Sequence, residues 1–377
     1  MATYKEQNKL NVPHLRFPEF EGEWEKCKLG DIATGFDYGM NAPAKVFDGV
    51  NKYIRITDID EASSTYNDSD IVSPDGTLTD TYLVNERDIL LARTGASTGK
   101  SYLYKKTDGK LYFAGFLIRA NVPEHNPYFV FSQLHTHRYW KWVSIMSARS
   151  GQPGINSQEY SSFPIYTTSI QEERKISKLL SLLEERIATQ SKLIEKLESL
   201  IKGIAQKIVR NNMPNVRLTE CLECKSSTLQ ESEVCEQGTY PVYGANGIVG
   251  YLDNYNTEGE AVYIIKDGSS VGTVSYVTGK CSATGTLNTL QAKEGYSLQY
   301  FYYLLKVFNF EPYKTGMAIP HIYFKDYGKA KVFCPSYTEQ LQYARLLSAI
   351  ESNLSIEMNI LTNLSLQKQY LLRQMFI

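Results

Sequence analysis

The chain has 377 residues, enough for two or three domains that each bury a hydrophobic core. Its 40 basic and 41 acidic residues nearly cancel, which excludes a histone-like polycation and an acidic tail protein. It contains no apolar run of about 18 residues and no apolar signal-peptide core, so we expect neither membrane insertion nor secretion. Six scattered cysteines favour a reducing cytoplasm. The 28 tyrosines are as typical of a large recognition surface as of a Tyr-rich β protein.

Residues 1–168 are predicted to form a first β-rich domain. Short alternating or β-branched runs, such as Tyr53–Ile56 and Asp88–Leu91, are separated by Gly, Asn, Asp and Ser, which favour turns. Two glycine-containing loops follow, one within Ile89–Gly99 and the other at Ser150–Asn156.

A long helix is predicted for residues 169–210. Ser169-Ile-Gln-Glu172 is a capping box, in which the serine caps an early N–H and the glutamate reaches back to the serine N–H. Apolar residues then follow at alternating spacings of four and three, with Gln190 as the polar member, which is the heptad pattern of a coiled coil. This first seam comprises Ile176, Leu180, Leu183, Ile187, Ile194, Leu197, Ile201, Ile204 and Ile208.

The second half of the chain repeats this plan, which indicates a duplication. Residues 211–335 are predicted to form a second β-rich domain, with strands at Ala261–Ile265 and Thr273–Val277. The glycine loops recur as well. Val262–Gly272 resembles the loop of Ile89–Gly99, and Thr315–His321 resembles that of Ser150–Asn156.

Residues 336–377 are predicted to form a second long helix. Ser336-Tyr-Thr-Glu339 repeats the capping box 167 residues after the first, and the same offset carries Gln190 onto Glu357. Only Lys368 interrupts the second seam. That seam comprises Tyr343, Leu347, Ile350, Leu354, Leu361, Leu364, Leu371 and Met375.

These elements predict an α/β fold of the α+β type, with two duplicated β-rich domains and two helices that pair as an antiparallel coiled coil. At about 1.5 Å per residue the first seam is about 50 Å long. Such a pair would hold two similar domains at a fixed distance. Duplex DNA is a natural target for this arrangement, because two-fold DNA readers contact sites about 34–36 Å, or a multiple of that, apart.

Four segments carry a resemblance to a known family. Val12-Pro-His-Leu-Arg-Phe-Pro-Glu-Phe-Glu-Gly-Glu-Trp24, followed by Lys28-Leu-Gly-Asp-Ile32, resembles the N-terminus of type I restriction–modification specificity subunits. Gly316-Met-Ala-Ile-Pro-His321 and Thr338-Glu-Gln340 resemble later segments of the same family, as does the order of domains and helices. The first capping box departs from the second, because no proline precedes it.

The resemblance implies a non-catalytic subunit that is one part of a larger complex. Each β-rich domain would be a target-recognition domain that reads one half of a split DNA sequence, and the helices would set the gap between the halves. Two modification subunits would dock on the helices and methylate adenine, and restriction subunits would translocate and cleave DNA. The chain would bind no cofactor itself, since S-adenosylmethionine, ATP and Mg²⁺ would bind to the partner subunits.

Two segments look like enzyme motifs but lack the required context. Thr94-Gly-Ala-Ser-Thr-Gly-Lys-Ser101 resembles a phosphate-binding loop, yet Thr94 replaces the first glycine and the next residues favour a strand, where such a loop opens a helix. Asn126-Pro127-Tyr128 is similar to an adenine-methyltransferase signature with one proline missing, and no glycine-rich cofactor loop precedes it. We expect neither ATP binding nor methyltransferase activity.

Metal and nucleophile sites are likewise not expected. Cys221 and Cys224 have the spacing of metal ligands, but Cys235 and Cys281 do not supply a second close pair, so reduced thiols are the preferred interpretation. The histidines form no nucleophile constellation.

The candidate DNA contacts are polar and cationic residues of the recurring loops, because Arg, Lys, Asn, Gln, Ser and Thr read base edges and hold phosphates. For each single residue an ordinary turn role is an equally good interpretation. The candidates are Arg93, Thr94, Ser97, Thr98, Lys100, Gln152, Asn156, Tyr243, Asn246, Lys266, Ser269, Ser270, Thr273, Met317 and His321.

The net charge and the apolar residues beside the first seam bear on what the chain binds. The neutral charge argues against tight DNA binding by the chain alone, so the modification subunits would supply most phosphate contacts. The alternative is a duplicated protein-interaction scaffold without DNA binding. Apolar residues beside the first seam, such as Leu179, Leu182, Leu193 and Leu200, favour docking of another protein on the helices under either interpretation.

Overall fold

The computed structural model describes residues 11–148, 151–316 and 319–377. The chain forms two compact units, the first from Met1–Ala188 with Thr362–Ile377 and the second from Thr189–Leu361. Each unit therefore holds parts of both long helices, whereas the predicted domain boundaries lie at the helix ends.

The first unit has ten strands and four shorter helices among its described residues. Its strands are β1 (Glu25–Lys28), β2 (Thr34–Tyr38), β3 (Ala44–Val46), β4 (Lys52–Ile54), β5 (Val72–Pro74), β6 (Asp88–Ala92), β7 (Ser101–Leu103), β8 (Leu111–Phe113), β9 (Leu117–Asn121) and β10 (Pro164–Thr167). Its shorter helices are α1 (Leu29–Ile32), α2 (Pro127–Gln133), α3 (His137–Met146) and α4 (Ser157–Ser161). The long helix α5 (Ile170–Arg210) begins in this unit.

The second unit repeats these elements. Its strands are β11 (Val216–Arg217), β12 (Leu222–Ser226), β13 (Tyr240–Gly244), β14 (Gly247–Leu252), β15 (Ala261–Ile265), β16 (Val274–Val277), β17 (Ser282–Ala283), β18 (Leu287–Ala292) and β19 (Lys331–Val332). Its shorter helices are α6 (Leu218–Cys221), α7 (Leu298–Lys306) and α8 (Phe324–Tyr327), and the long helix α9 (Tyr337–Gln374) begins here.

The two units share one sheet topology, which confirms the predicted duplication. The larger antiparallel sheet has the order β2-β9-β6-β7 in the first unit and β12-β18-β15-β16 in the second. A short parallel pair accompanies each sheet, β4 with β8 and β13 with β17. The predicted strands Ala261–Ile265 and Asp88–Leu91 coincide with β15 and with most of β6.

Helices α5 and α9 begin and end within a few residues of the predicted segments 169–210 and 336–377. All seam residues are buried or half-buried, while most residues between them are exposed. In the first unit the early part of α5 packs against the end of α9, and in the second unit the late part of α5 packs against the start of α9. The helices therefore pair antiparallel in both units, as predicted.

The polar seam residues pair with one another. Gln190 Nε2 donates to the main-chain oxygen of Glu357 at 3.1 Å and also to its carboxylate. Lys368, which interrupts the second seam, lies 2.6 Å from the Glu184 carboxylate and so forms an ion pair instead of a hydrophobic contact.

Each predicted capping box forms only in part. At the first, Ser169 Oγ accepts the Glu172 N–H at 3.3 Å, but the Glu172 carboxylate binds Arg16 and Thr168 instead of the Ser169 N–H. At the second, the Glu339 carboxylate accepts the Ser336 N–H at 3.1 Å, as predicted. The difference arises because an arginine from the N-terminal segment competes for the first carboxylate.

A second buried hydrogen bond lies at the start of α9, and an equivalent bond lies at the start of α5. Gln340 Oε1 accepts the N–H of Ser297, the N-cap of α7, at 2.9 Å. In the first unit Glu173 Oε2 accepts the N–H of Asn126, the N-cap of α2, at 2.8 Å. Glu173 and Gln340 are 167 residues apart, so the duplication extends to individual hydrogen bonds.

Helix α7 is tied to α9 by one half-buried carboxylate. Glu351 accepts hydrogen bonds from the hydroxyls of Tyr302 at 2.8 Å and Tyr303 at 2.7 Å, and from Lys306 Nζ at 3.0 Å. Burial raises the pKa of Glu351, but these three donors outweigh it and leave the pKa below its ordinary value.

We expect Glu351→Gln to lower the free energy of unfolding by about 1–3 kcal/mol at pH 7, because charged hydrogen bonds are lost. A depressed carboxyl pKa stabilises the fold above the unfolded-state pKa, and this contribution disappears as pH falls through the folded-state pKa. Denaturant unfolding between pH 7 and pH 3 should therefore show wild type and variant converging below about pH 4.5. A difference that stays constant with pH would contradict this assignment.

Within the described residues, no helix is both long and apolar enough to cross a membrane.

Candidate nucleic-acid interface

In the first unit the two predicted glycine loops lie side by side. Thr94 and Gly154 pair in an antiparallel β-bridge, and the Gly95 N–H donates to the Pro153 carbonyl at 2.9 Å. Gln152 Nε2 lies over Gly95, 2.9 Å from where a Cβ on that glycine would stand. The chain thus brings together segments about sixty residues apart, and we define Arg93–Lys100 with the described residues 151–156 as the first loop pair.

The second unit builds the same arrangement from the corresponding loops. Asp267 and His321 pair in a β-bridge, and the Gly268 N–H donates to the Pro320 carbonyl at 2.9 Å. Gly95 and Gly268 both have positive φ, 69° and 97°, so both copies of the loop favour glycine at this turn. We define Lys266–Thr273 with the described residues of 315–321 as the second loop pair.

A cation occupies the same position in both loop pairs. Arg93 follows β6 directly, its N–H donates to the Phe116 carbonyl at 3.0 Å, and its own carbonyl accepts the Ile155 N–H at 2.9 Å. Lys266 follows β15 directly, and its backbone bonds in the same way to Thr286 and Ile322 at 3.0 and 2.9 Å. Their main chains are therefore held from both sides by neighbouring segments.

The Arg93 side chain lies between two exposed aromatic rings. Its guanidinium carbon is 4.8 Å from the ring centroid of Tyr38 and 5.8 Å from that of Phe116, and Nε donates to the Gly115 carbonyl at 3.1 Å. Tyr38 and Phe116 are 41% and 55% exposed. Hydrogen bonds with Ser157 lower the pKa of the Tyr38 hydroxyl, and the charge of Arg93 acts in the same direction.

Three of the predicted DNA contacts form hydrogen bonds to residues nearby in sequence. Thr98 is buried and its hydroxyl donates to the Gly95 carbonyl at 2.8 Å, and the Thr273 hydroxyl donates to the Ser270 carbonyl at 2.8 Å. Asn156 caps α4 by accepting the Glu159 N–H at 2.9 Å. These hydrogen bonds give Thr98, Thr273 and Asn156 a role in shaping the local backbone, and their contact with DNA stays a prediction.

The remaining candidates differ in solvent exposure and in the partners of their side chains. Lys100 Nζ forms an ion pair with Glu61 at 3.1 Å, and Tyr243 is half-buried against Tyr263. His321 Nδ1 lies 3.0 Å from the Ile319 carbonyl oxygen. Met317 lies outside the described residues. The other exposed or half-buried candidates in the loops are Thr94, Ser97, Gln152, Asn246, Lys266, Ser269 and Ser270.

The two aromatic rings beside Arg93 and a polar groove in the second unit were not predicted from the sequence. Tyr38 and Phe116 lie outside the loop motif in sequence. The pairing of β6 with β9 brings Phe116 to Arg93, and the pairing of β2 with β9 adds Tyr38. In the second unit an open groove of about 1030 Å³ runs beside the end of β12, lined by serine, threonine, asparagine and glutamine. Lys225, Asn254 and Tyr255 also line it, which makes the groove a further candidate surface for a polar ligand.

The apparent enzyme motifs have structural roles. The segment that resembles a phosphate-binding loop leads into strand β7 and not into a helix, as the sequence predicted. Asn126 of the methyltransferase-like segment caps α2, accepting the N–H groups of Tyr128 and Phe129. Cys221 is hydrogen-bonded to Cys334, and that bond, together with burial, raises the pKa of the Cys221 thiol. Among the described residues, no group of three or more His, Cys, Asp or Glu side chains could hold a metal ion.

Comparison with known proteins identifies the family. The family model described as "Type I restriction modification DNA specificity domain" matches two segments, residues 21–199 and 211–366. These two matches cover most of the chain and follow the duplication. The chain therefore belongs to the type I restriction–modification DNA specificity family.

Individual relatives are similar over part of their length. The chain is 24% identical over 262 residues to the specificity subunit of the type I restriction enzyme MjaVIII of Methanocaldococcus jannaschii, a match to 63% of this chain and 58% of that protein. It is 25% identical over 234 residues to a putative type I specificity subunit of Mycoplasma genitalium, covering 56% and 61%. The chain thus matches less than two thirds of the length of these relatives.

Solved structures support the fold over nearly the whole chain. The S subunit of a type I restriction–modification system from M. genitalium has a TM-score of 0.70 and 18% identity, covering 97% of this chain and 99% of that chain. A chain from a structural study of complex assembly and conformational transition in the type I system has a TM-score of 0.53 and 15% identity, covering 94% and 97%.

Proposed function

We propose that the chain is the DNA sequence-specificity subunit of a type I restriction–modification complex. In this proposal each unit reads one half of a bipartite duplex target through its loop pair. The observation that carries the proposal is the repetition of the loop pair, with a cation in the same place, on the same sheet topology in a chain of this family. A DNA target made of two half-sites requires two recognition domains, and a duplicated fold with one loop pair in each copy supplies them.

The helices α5 and α9 are proposed to set the gap between half-sites and to dock two modification subunits. Exposed apolar side chains support the docking, because they lie outside the seam and remain without cover in the single chain. Leu182, Leu193 and Leu200 on α5 and Leu346 and Ile356 on α9 are examples. Restriction subunits would join the same complex.

Catalysis is assigned to these partners. The chain would bind neither S-adenosylmethionine, ATP nor Mg²⁺, and its task would be to place the methylation and cleavage activities of its partners on DNA. Because its net charge is −1, the modification subunits would also supply most phosphate contacts, and the isolated chain would bind DNA weakly. A chain that reads cellular and incoming DNA would work in the cytoplasm.

The proposal is tested by sequencing native DNA for modified adenines. The full chain is co-expressed with the modification subunit encoded beside it in a host free of methyltransferases. We expect a bipartite motif with a fixed gap that is absent when this chain is omitted. The matched control carries the same modification subunit without this chain.

The competing function is a protein-interaction scaffold without DNA binding, which the exposed apolar side chains of α5 and α9 would also serve. A stable complex with the modification subunit that modifies no motif and shifts no duplex probe would favour this scaffold and contradict DNA reading.

A further inference from the structure

The first loop pair contains one arginine whose outer donors are unused. Arg93 Nε is committed to the Gly115 carbonyl, while within the described part of the chain neither Nη atom has a hydrogen-bond acceptor. No carboxylate of the described residues lies within 4.0 Å of it, whereas Arg55 and Arg119 of the same unit each pair with an aspartate. In each of these two arginines Nη2 donates to an aspartate carboxylate, and Arg93 has no such bond among the described residues.

The surroundings of Arg93 fix the plane of the guanidinium. Its backbone is bonded on both sides, Tyr38 and Phe116 flank the side chain, and the Nε bond sets the rotation of the group. A side chain fixed in this way loses little conformational freedom on binding, and its two Nη atoms form a preoriented fork.

We propose that Arg93 is a specificity-determining residue that reads a guanine in the half-site of the first unit, with Nη1 and Nη2 donating to O6 and N7 in the major groove. This inference rests on the proposed DNA-reading function and adds the base that one position recognises. Guanine is the base that presents two acceptors side by side at this edge, and arginine is its commonest reader.

The second unit supplies an internal contrast. Lys266 occupies the equivalent position, but Ser226 and Thr286 stand where the first unit has Tyr38 and Phe116. A flexible ammonium without flanking rings is a point charge that suits a phosphate. The two positions are therefore assigned different tasks, base reading by Arg93 and phosphate contact by Lys266.

The experiment uses the complex with the modification subunits and starts from the motif that wild type methylates. Each guanine of that motif is replaced in turn by the other bases and by 7-deazaguanine, which has C–H in place of N7. Initial methylation rates are measured for wild type, Arg93→Lys, Arg93→Ala and Lys266→Ala. Thermal melting of each complex checks that the variants are folded. If Arg93→Ala does not fold, Arg93→Lys, which keeps the positive charge, is used for the comparison with wild type.

We expect wild type to discriminate one guanine of one half-site by about 10- to 100-fold, and to lose rate when that guanine lacks N7. Both Arg93 variants should lose most of this discrimination at that position alone and become insensitive to 7-deazaguanine there. Lys266→Ala should slow methylation of all sequences by the same factor and leave the base preferences unchanged.

Other results would overturn the inference. If the Arg93 variants reduce the rate uniformly while every base preference persists, Arg93 contacts a phosphate or only stabilises the loop. If Arg93→Lys retains full discrimination, no bidentate contact exists. If wild type methylates a bipartite motif and only the Arg93 effect is missing, the proposed function stands and this inference fails; if wild type methylates no motif, both fail.

Discussion

Removing one heptad from each long helix is expected to shorten the gap in the methylated motif while both half-sites stay unchanged. The deletions are residues 187–193 and 354–360, which are centred on the pair Gln190 and Glu357. Seven residues correspond to about 10 Å of helix, and DNA rises about 3.4 Å per base pair, so the gap should lose at most about three base pairs. Native-DNA sequencing of the co-expressed complex measures the new motif.

The deletion is designed to preserve the hydrophobic seam. After it, Leu183 is followed by Ile194 at a spacing of four, and Ile350 by Leu361 at the same spacing. A control deletion of five residues from each helix turns the later seam residues by about 140° away from the partner helix, so that complex should lose stability and methylate poorly. A seven-residue variant that methylates altered bases across an unchanged gap would show that the helices do not set the spacing.

The long helices could be predicted from the sequence because their signal is local and periodic. Seam residues recur every three or four positions, and the same spacing recurs 167 residues later, so no tertiary information is needed. The predicted strands were also found where β-branched runs lie between turn residues, as at β15. Repetition strengthened the prediction, because the same caps and spacings rarely recur at one offset by chance.

The sequence could not predict which polar side chains form hydrogen bonds within the folded chain. Asn156 and Thr98 are polar loop residues, the type that contacts DNA, yet one caps a helix and the other closes a turn. Tyr38 and Phe116 had no loop motif to mark them, and strand pairing alone sets them around Arg93. In sequence, a polar side chain that is free and one that is already bonded are indistinguishable.

The first capping box shows the same limit at a buried carboxylate. Its glutamate was expected to bond the Ser169 N–H, but the N-terminal segment delivers Arg16 to Glu172, with Nε and Nη2 each 2.7 Å from a carboxylate oxygen. The Thr168 hydroxyl and Trp24 Nε1 donate to the same carboxylate at 2.6 and 3.3 Å. The segment that resembles the family's N-terminus thus closes onto the start of α5.

Arg16→Ala is expected to lower the free energy of unfolding of the first unit by about 3–5 kcal/mol, because it leaves the buried Glu172 carboxylate without its counter-charge. The side chains of Arg16 and Glu172 are 12% and 1% exposed, so solvent cannot replace the lost partner. The double variant Arg16→Ala with Glu172→Gln should recover part of the loss, since a neutral amide is cheaper to bury than an unpaired charge. Denaturant unfolding of the full chain measures all three proteins.

An exposed ion pair of the same unit is the control. Lys45 and Asp75 lie 3.5 Å apart with side chains 48% and 60% exposed, so Asp75→Ala should change the free energy of unfolding by no more than about 1 kcal/mol. If Arg16→Ala costs as little as Asp75→Ala, the N-terminal segment does not secure the start of α5, and the buried ion pair is not what holds it there. If the double variant is no more stable than Arg16→Ala, the loss comes from missing contacts of the arginine side chain and not from the unpaired carboxylate.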